Sequence, residues 1–185
     1  MVWAVTLLQL VRLSYREMKE ISFKNDVYPL KDKLFRLALR ITLNKEEAED
    51  IVQDTLIKVW NMRDEWQDIQ NIETFTMKIC RNLSLDRIEK KERQNISLDE
   101  TVHDQPDSSQ AQDSQLIRQQ QFESVSRIIQ SLPEKQRAAV QLRDVEGKNY
   151  QEIADIMDIT VADVKVNIFR ARQTIKSKFL KQDKN

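Results

Sequence analysis

The chain has 185 residues, with one Gly, three Pro, 40% hydrophobic and 32% charged residues, and a formal net charge of +0. So few chain breakers and so little β-branched alternation predict an all-α fold, and zero net charge excludes a polycation, so any nucleic-acid surface must come from segregated charge. A single cysteine excludes an intramolecular disulfide, and a single histidine, His103 in a polar acidic segment, gives no support for a metal site or a Ser/His or Cys/His catalytic pair.

Residues 1–17 are an N-terminal extension with no evident role. Val2 to Val11 are mostly apolar, but no positive charge precedes them and no small-residue cleavage site follows. The run is also too short to span a bilayer, so a signal peptide is not expected. Met18, followed by Lys19-Glu20, reads as an alternative start.

A helix is predicted from Pro29, a residue that suits a first helical turn. Leu30, Leu34, Leu37, Ala38 and Ile41 are its apolar stripe. Asn44-Lys45-Glu46-Glu47 resembles a helix cap with an acid three residues on, as in a capping box. The helix it opens runs to about Met62, with Ala48, Ile51, Val52, Thr55, Leu56, Val59 and Trp60 facing inward. Its acidic start is ordinary helix-dipole chemistry or a docking surface for a basic partner.

Asp64 to Glu73 reads as a loop carrying Trp66. The next helix holds Phe75, Ile79 and Leu83 around Cys80, which reads as a buried thiol acting as a small hydrophobe. Its cations Lys78, Arg81, Arg87, Lys90 and Lys91 stand near Phe75 and Trp66. Cations beside aromatics suit a single-stranded backbone with unstacked bases; buried aromatics with solvated charges are an equally coherent reading.

Residues 95–114, rich in Ser, Asp and Gln, read as a flexible acidic linker between two small helical domains, 25–94 and 115–181. In the second, Leu116, Phe122, Val125, Ile128, Ile129 and Leu132 form a stripe up to Pro133. A helix from Glu134 to about Val145 is closed by Gly147.

Asn149 to Arg172 then reads as a helix-turn-helix. Ile153, Ala154 and Met157 share one face of the first helix, and Asp158 sits at the turn, where Asp tolerates the left-handed conformation. Val161, Val164, Ile168, Ala171 and Ile175 define the inner face of the second helix. Lys165, Asn167, Arg170, Arg172, Lys176 and Lys178 lie on its other faces, the combination that lets a helix enter a DNA major groove. An ordinary helical hairpin with a basic solvated face is the plainer alternative. The tail from Lys181 reads as a frayed end.

Both halves together resemble the extracytoplasmic-function group of bacterial sigma-70 family sigma factors, over roughly residues 27–180. Ala48-Glu49-Asp50-Ile51-Val52-Gln53-Asp54 with Val59-Trp60 is similar to the family's polymerase-docking helix. Ile79-Cys80-Arg81-Asn82-Leu83-Ser84-Leu85-Asp86 is similar to its promoter-melting helix. Leu132-Pro133-Glu134-Lys135-Gln136-Arg137, Glu146-Gly147, Tyr150 to Ala154, Val164-Lys165 and Arg170-Ala171-Arg172 resemble its fourth region.

The resemblance implies a protein, not an enzyme, that binds core RNA polymerase and directs initiation at promoters, in the cytoplasm and without cofactor or small-molecule substrate. It assigns Asp50, Gln53 and Asp54 to the polymerase clamp helices. It assigns Asn82, with neighbouring Lys78, Arg81, Arg87 and Lys90, to the −10 element and melting, and the loop before Phe75 to a flipped-out base. Lys165, Val166, Asn167, Phe169 and Arg170 would read the −35 element, and Arg172 and Lys176 would hold phosphates. The partners implied are core RNA polymerase, promoter DNA and an anti-sigma factor, often membrane-anchored.

Four positions depart from the family pattern. Phe75 stands where Trp is usual, Glu89 where a basic residue is usual, Asn167 where Arg is common, and Asp158 in place of the turn glycine. Asn pairs with adenine and Arg prefers guanine, so a shifted −35 preference is expected. Two other readings compete. A stand-alone helix-turn-helix regulator leaves the helix at Ala48 to Trp60 unexplained. An enzyme built on Glu46, Glu49, Asp50 and Asp54 lacks the histidines that helical carboxylate sites draw from facing helices.

Overall fold

The computed structural model describes residues 21–94 and 123–182. The extension with Met18, the linker with His103, residues 115–122 of the second domain and the tail end 183–185 lie outside the described residues. Among the described residues every regular element is helical.

Phe23–Val27 form one wide turn, and Tyr28–Leu30 a tight turn with Pro29 near its start. Helix α1 follows at Lys31–Thr42, two residues later than Pro29 alone implied. Its buried side chains are Leu34, Leu37, Ala38 and Ile41, the predicted stripe. It ends at Leu43, whose φ of 58° puts a branched side chain in the left-handed region.

Helix α2 spans Lys45–Asn61. Asn44 caps it, accepting from the Glu47 backbone N–H at 3.0 Å. The reciprocal half of a capping box is replaced: the Asn44 N–H donates to Thr42 Oγ1 at 3.3 Å, and the Glu47 carboxylate pairs with Lys91 at 2.6 Å. Ala48, Ile51, Val52, Thr55 and Val59 are buried as the pattern predicted. Trp60 is not: it is 47% exposed, because Val59 takes the inward position and the next residue lies about 100° around the helix. Phe23 meets its ring edge-on at 5.2 Å, and Arg63 lies over it.

The predicted loop holds a tight helical turn at Arg63–Asp68 that buries Trp66. Helix α3 runs Ile72–Gln94, opened by Asn71, whose side chain accepts from the Thr74 N–H at 3.0 Å. Cys80 is fully buried within it.

In the second half, α4 covers 123–130 and α5 Glu134–Val140, which widens into a turn at Gln141–Val145 without breaking the helical run. Gly147 closes it at φ 71°, as expected. Helix α6, Tyr150–Met157, begins with a complete capping box between Asn149 and Glu152. Asp158 turns the chain at φ 56°, and α7 spans Val161–Gln182.

The two halves share one hydrophobic core. Leu34, Leu37, Ile41, Ile51 and Met77 of the first half join Ala138, Leu142, Ile153, Ile156 and Val164 of the second in a single cluster. Each fully buried Leu or Ile in it contributes about 1.5–3 kcal/mol. In this arrangement α1 packs on α5, and α3 on α6.

Candidate polymerase and nucleic-acid surfaces

Asp50, Gln53 and Asp54 are all exposed on α2. Their spacing of three and four residues puts them on one face, opposite the buried ridge of Ala48, Ile51, Val52 and Thr55. Ile57 continues that face and is 59% exposed. Arg87 of α3 approaches Asp54 at 3.8 Å.

The five candidate DNA residues of α3 do not share one face. Lys78 and Arg87 are nine residues apart, two and a half turns, and so point to opposite sides. Asn82 and Lys90 are exposed and Arg87 half-exposed. Lys78 reaches Asp158 of the second half at 3.3 Å. Arg81 is buried, 3.9 Å from Glu134 of α5. Trp66 is buried with Val59 in a satellite cluster, and Phe75 packs against it while only partly buried.

Helix α7 presents its predicted face. Val164, Ile168 and Ala171 form the buried ridge. Lys165, Val166, Phe169, Arg170, Arg172 and Lys176 are exposed, and Asn167 partly so. Val166 and Phe169 are large apolar groups in solvent, suited to apolar contact with a thymine methyl. Thr160 caps the helix by accepting from the Asp163 N–H at 3.1 Å. The Asn167 amide donates to the Asp163 carbonyl at 2.9 Å. Tyr150 is flanked by two cations, Arg143 at 4.7 Å and Lys165 at 5.7 Å from the ring centre.

Asp144 grips the Arg172 guanidinium through both Nε and Nη2, and that hydrogen bond raises the arginine pKa further. Among the described residues no group of three potential ligands could hold a metal ion. No helix among them is long and apolar enough to cross a membrane.

The two halves match two separate family models: Sigma-70 region 2 over residues 29–94, and Sigma-70 region 4 over residues 122–175. The chain belongs to the sigma-70 family, in its extracytoplasmic-function group. It is 29% identical over 161 residues to the ECF RNA polymerase sigma factor SigW of Bacillus subtilis, covering 82% of this chain and 84% of that one. It is 29% identical over 146 residues to the ECF RNA polymerase sigma factor SigE of Mycolicibacterium smegmatis, covering 78% of this chain. The match spans 56% of that relative's length. Among solved structures, the sigma factor RpoE from Bartonella quintana, in complex with the anti-sigma factor NepR, has the same fold, with a TM-score of 0.70 and 24% identity. It covers 86% of this chain and 96% of that one. CnrH in complex with the cytosolic domain of CnrY gives a TM-score of 0.58 at 20% identity, covering 84% and 85%.

The sequence pattern missed the polar groups that join region 2 to region 4. Arg36 forks onto Glu146 with bonds of 2.9 and 2.8 Å. Lys148 is buried between Glu73 at 2.9 Å and Glu152 at 3.4 Å. Burial alone would push the Glu73 carboxyl up, but hydrogen bonds from Lys33 and Lys148 outweigh it and hold the carboxyl below its usual value. Burial pushes the Arg40 and Arg137 guanidiniums down. A lysine beside Gly147 carries no periodic signal that it will be buried, so nothing in the local pattern could have found Lys148.

Proposed function

We propose that this sigma factor docks on core RNA polymerase through Asp50, Gln53 and Asp54, and places region 2 and region 4 on the −10 and −35 elements of promoters. The observation that carries this reading is α7. Its buried ridge fixes it on α5 and α6 while Lys165, Val166, Asn167, Phe169 and Arg170 stand on the outer side. An exposed helix with cations for phosphate and amide and apolar groups for base edges is what major-groove reading requires. The carboxylates of α2 are left in solvent, unclaimed by the core, which suits a basic partner surface.

In region 2 the exposed Asn82, Arg87 and Lys90 would engage the −10 element, joined by Lys78 and Arg81 when these are released. Extruding a base costs a few kcal/mol of stacking and pairing, which a pocket and backbone cations offset. Lys176, and Arg172 once it leaves Asp144, would take phosphates. An anti-sigma factor is the third partner, in line with the complex in which RpoE was solved. The working place of the chain is the cytoplasm, where the polymerase is, and no catalytic step is assigned to it.

The test is run-off transcription with sigma-free core polymerase and promoter fragments from the host. Sharply initiated new transcripts are expected, and their loss in an Asp50→Ala, Asp54→Ala variant of unchanged thermal stability. Folded protein that yields no transcripts, does not co-elute with core, and shifts duplex DNA alone would instead mark a stand-alone regulator.

A further inference from the structure

We infer that Tyr150 is a positioning residue for −35 reading: its ring holds the Lys165 ammonium in place near the start of α7 and leaves that charge free for DNA. The inference rests on the sigma-factor reading for what Lys165 contacts.

The ring is the fixed part of the arrangement. Tyr150 is the first residue of α6, directly after Asn149, whose capping box with Glu152 sets the backbone there. Its side chain is half-buried and packs against the shared core. Arg143 lies over the ring, with Cζ 4.7 Å from its centre. The same guanidinium donates through Nη1 to the Lys148 carbonyl at 2.7 Å, two residues before the tyrosine. Arg143 therefore ties the ring to the backbone that carries it. It comes from the wide turn at Gln141–Val145, where the Glu146 N–H donates to the Gln141 carbonyl, five residues back, at 3.0 Å. Wide turns of this kind are rare in helices and are frequent at functional sites.

Lys165 is the held part. It is exposed, and its Nζ lies 5.7 Å from the ring centre, within the reach of about 6 Å for a cation over an aromatic face. The contrast with Arg172 on the same helix is chemical. Asp144 occupies two nitrogens of that guanidinium and offsets its charge. An aromatic face orients a cation and takes up none of its N–H donors. Lys165 thus keeps three donors and a full charge while its direction is set.

That direction matters because lysine is otherwise a poor reader of bases. Its ammonium is a point charge on a flexible four-carbon stem, and ordering the stem costs rotamer freedom on binding. A lysine held beforehand has lost part of that freedom already, and it meets one base edge in preference to its neighbours. A packing role alone makes a different demand on Tyr150. Packing needs a large apolar side chain, which leucine supplies. Holding Lys165 needs a π face, which phenylalanine supplies and leucine does not.

The experiment uses the full chain with Tyr150→Phe, Tyr150→Leu, Lys165→Ala, and the last two combined. The first readout is NMR of the free protein. The ε-methylene signal of Lys165, assigned by its loss in Lys165→Ala, should be moved upfield by the ring current in the parent and in Tyr150→Phe, and should sit with the other lysines in Tyr150→Leu. The second is run-off transcription with core polymerase over promoters randomised in the −35 element. Base discrimination that depends on Lys165 should fall about threefold in Tyr150→Leu, the size of an exposed contact of this kind. It should be kept in Tyr150→Phe, and Tyr150→Leu should remove nothing more in the Lys165→Ala background. An undisplaced Lys165 signal in the parent overturns the inference, even where Tyr150→Leu does not fold. So does an equal loss in Tyr150→Phe and Tyr150→Leu, which would assign the effect to the hydroxyl, or a loss by Tyr150→Leu that persists without Lys165, which would assign it to packing. The parent alone separates this from the underlying reading: transcripts with an undisplaced Lys165 leave the sigma-factor reading intact, and a displaced Lys165 without transcripts removes that reading and the inference with it.

Discussion

The guanidinium of Arg137 donates to the carbonyls of Arg40 and Ile41, at 2.6 and 3.1 Å, from the other half of the molecule. Its Nη1 also donates to the carbonyls of Gln130 and Leu132, each at 2.9 Å. The last carbonyls of a helix have no partner within it, and α1 ends against region 4 at just these residues. One planar fork therefore caps α1 and ties α4 to α5. Arg137→Ala leaves these carbonyls without their donor, and should cost on the order of 3 kcal/mol. Arg137→Lys should recover only part of this, because an ammonium cannot reach four acceptors in one plane. Urea unfolding of both variants measures it; full recovery by Lys would mean that charge, and not the fork, is what matters.

Glu73 links the halves from the opposite edge of the seam, between Lys33 at 2.7 Å and Lys148 at 2.9 Å. Its folded pKa lies below the ordinary value of 4.5. A carboxyl shifted down contributes stability that is present above its unfolded pKa and lost as pH falls through the folded one. Glu73→Gln should therefore be less stable than the parent at pH 7, with the difference shrinking once the pH passes below the glutamate range of about 4.3. Thermal melts from pH 7 down to pH 3 would show it. A constant difference across that range would assign the loss to packing instead.

Leu43 occupies the left-handed region at φ 58° and is 44% exposed. The conformation is costly for a branched side chain, by roughly 1–2 kcal/mol, and little burial compensates it. Glycine adopts it freely but loses more chain entropy on folding. The net for Leu43→Gly should be a gain of about 1 kcal/mol or slightly less, a rise in Tm of about 2–4 °C for a chain of this size. A fall in Tm would show that the leucine side chain packs more than its exposure implies.

Cys80 is fully buried, and burial pushes its thiol up to about 12, despite hydrogen bonding with Thr55 and Ser84 that acts the other way. The thiolate is the reactive form. Iodoacetamide at pH 8 should leave the native chain unmodified over hours and label it rapidly in denaturing urea. Fast native labelling would show local opening of α3 around Cys80.

The elements were legible because their apolar spacing is strict. Leu34, Leu37, Ala38 and Ile41 could face only one way on a helix, and so could Val164, Ile168 and Ala171. Asp158 was legible as a turn because aspartate is one of the few residues suited to that backbone. Leu43 adopts the same backbone with no such signal. Trp60 was misplaced because a large apolar residue next to Val59 satisfies the helical pattern loosely and the exposed position just as well. The seam was the least legible feature. Arg81, Arg137 and Lys148 are ordinary surface residue types in sequence, and their burial, like the pairing of the exposed Arg36 with Glu146, follows only from the docking of one half on the other. The exposed residues of α7 were legible as a face; that Asp144 would hold Arg172 was not, since it depends on the wide turn at Gln141–Val145.

Asn167 stands near the start of α7, between the exposed Val166 and the buried Ile168, with its amide donating to the Asp163 carbonyl one turn back. That bond is local and exposed, so a base edge can replace it at small cost. An Asn amide can pair with adenine through two hydrogen bonds, while Arg prefers the two acceptors of guanine, and a good bidentate pair discriminates by about 1–3 kcal/mol. Asn167→Arg should therefore move the preferred −35 sequence toward guanine at one position, by roughly tenfold or more in relative promoter use. It should not alter the −10 preference or core binding, since Asp50, Gln53 and Asp54 lie on a separate helix. Run-off transcription from a library randomised across both elements reads all of this at once. An unchanged −35 profile would place Asn167 off the base edges and leave discrimination to Lys165, Phe169 and Arg170.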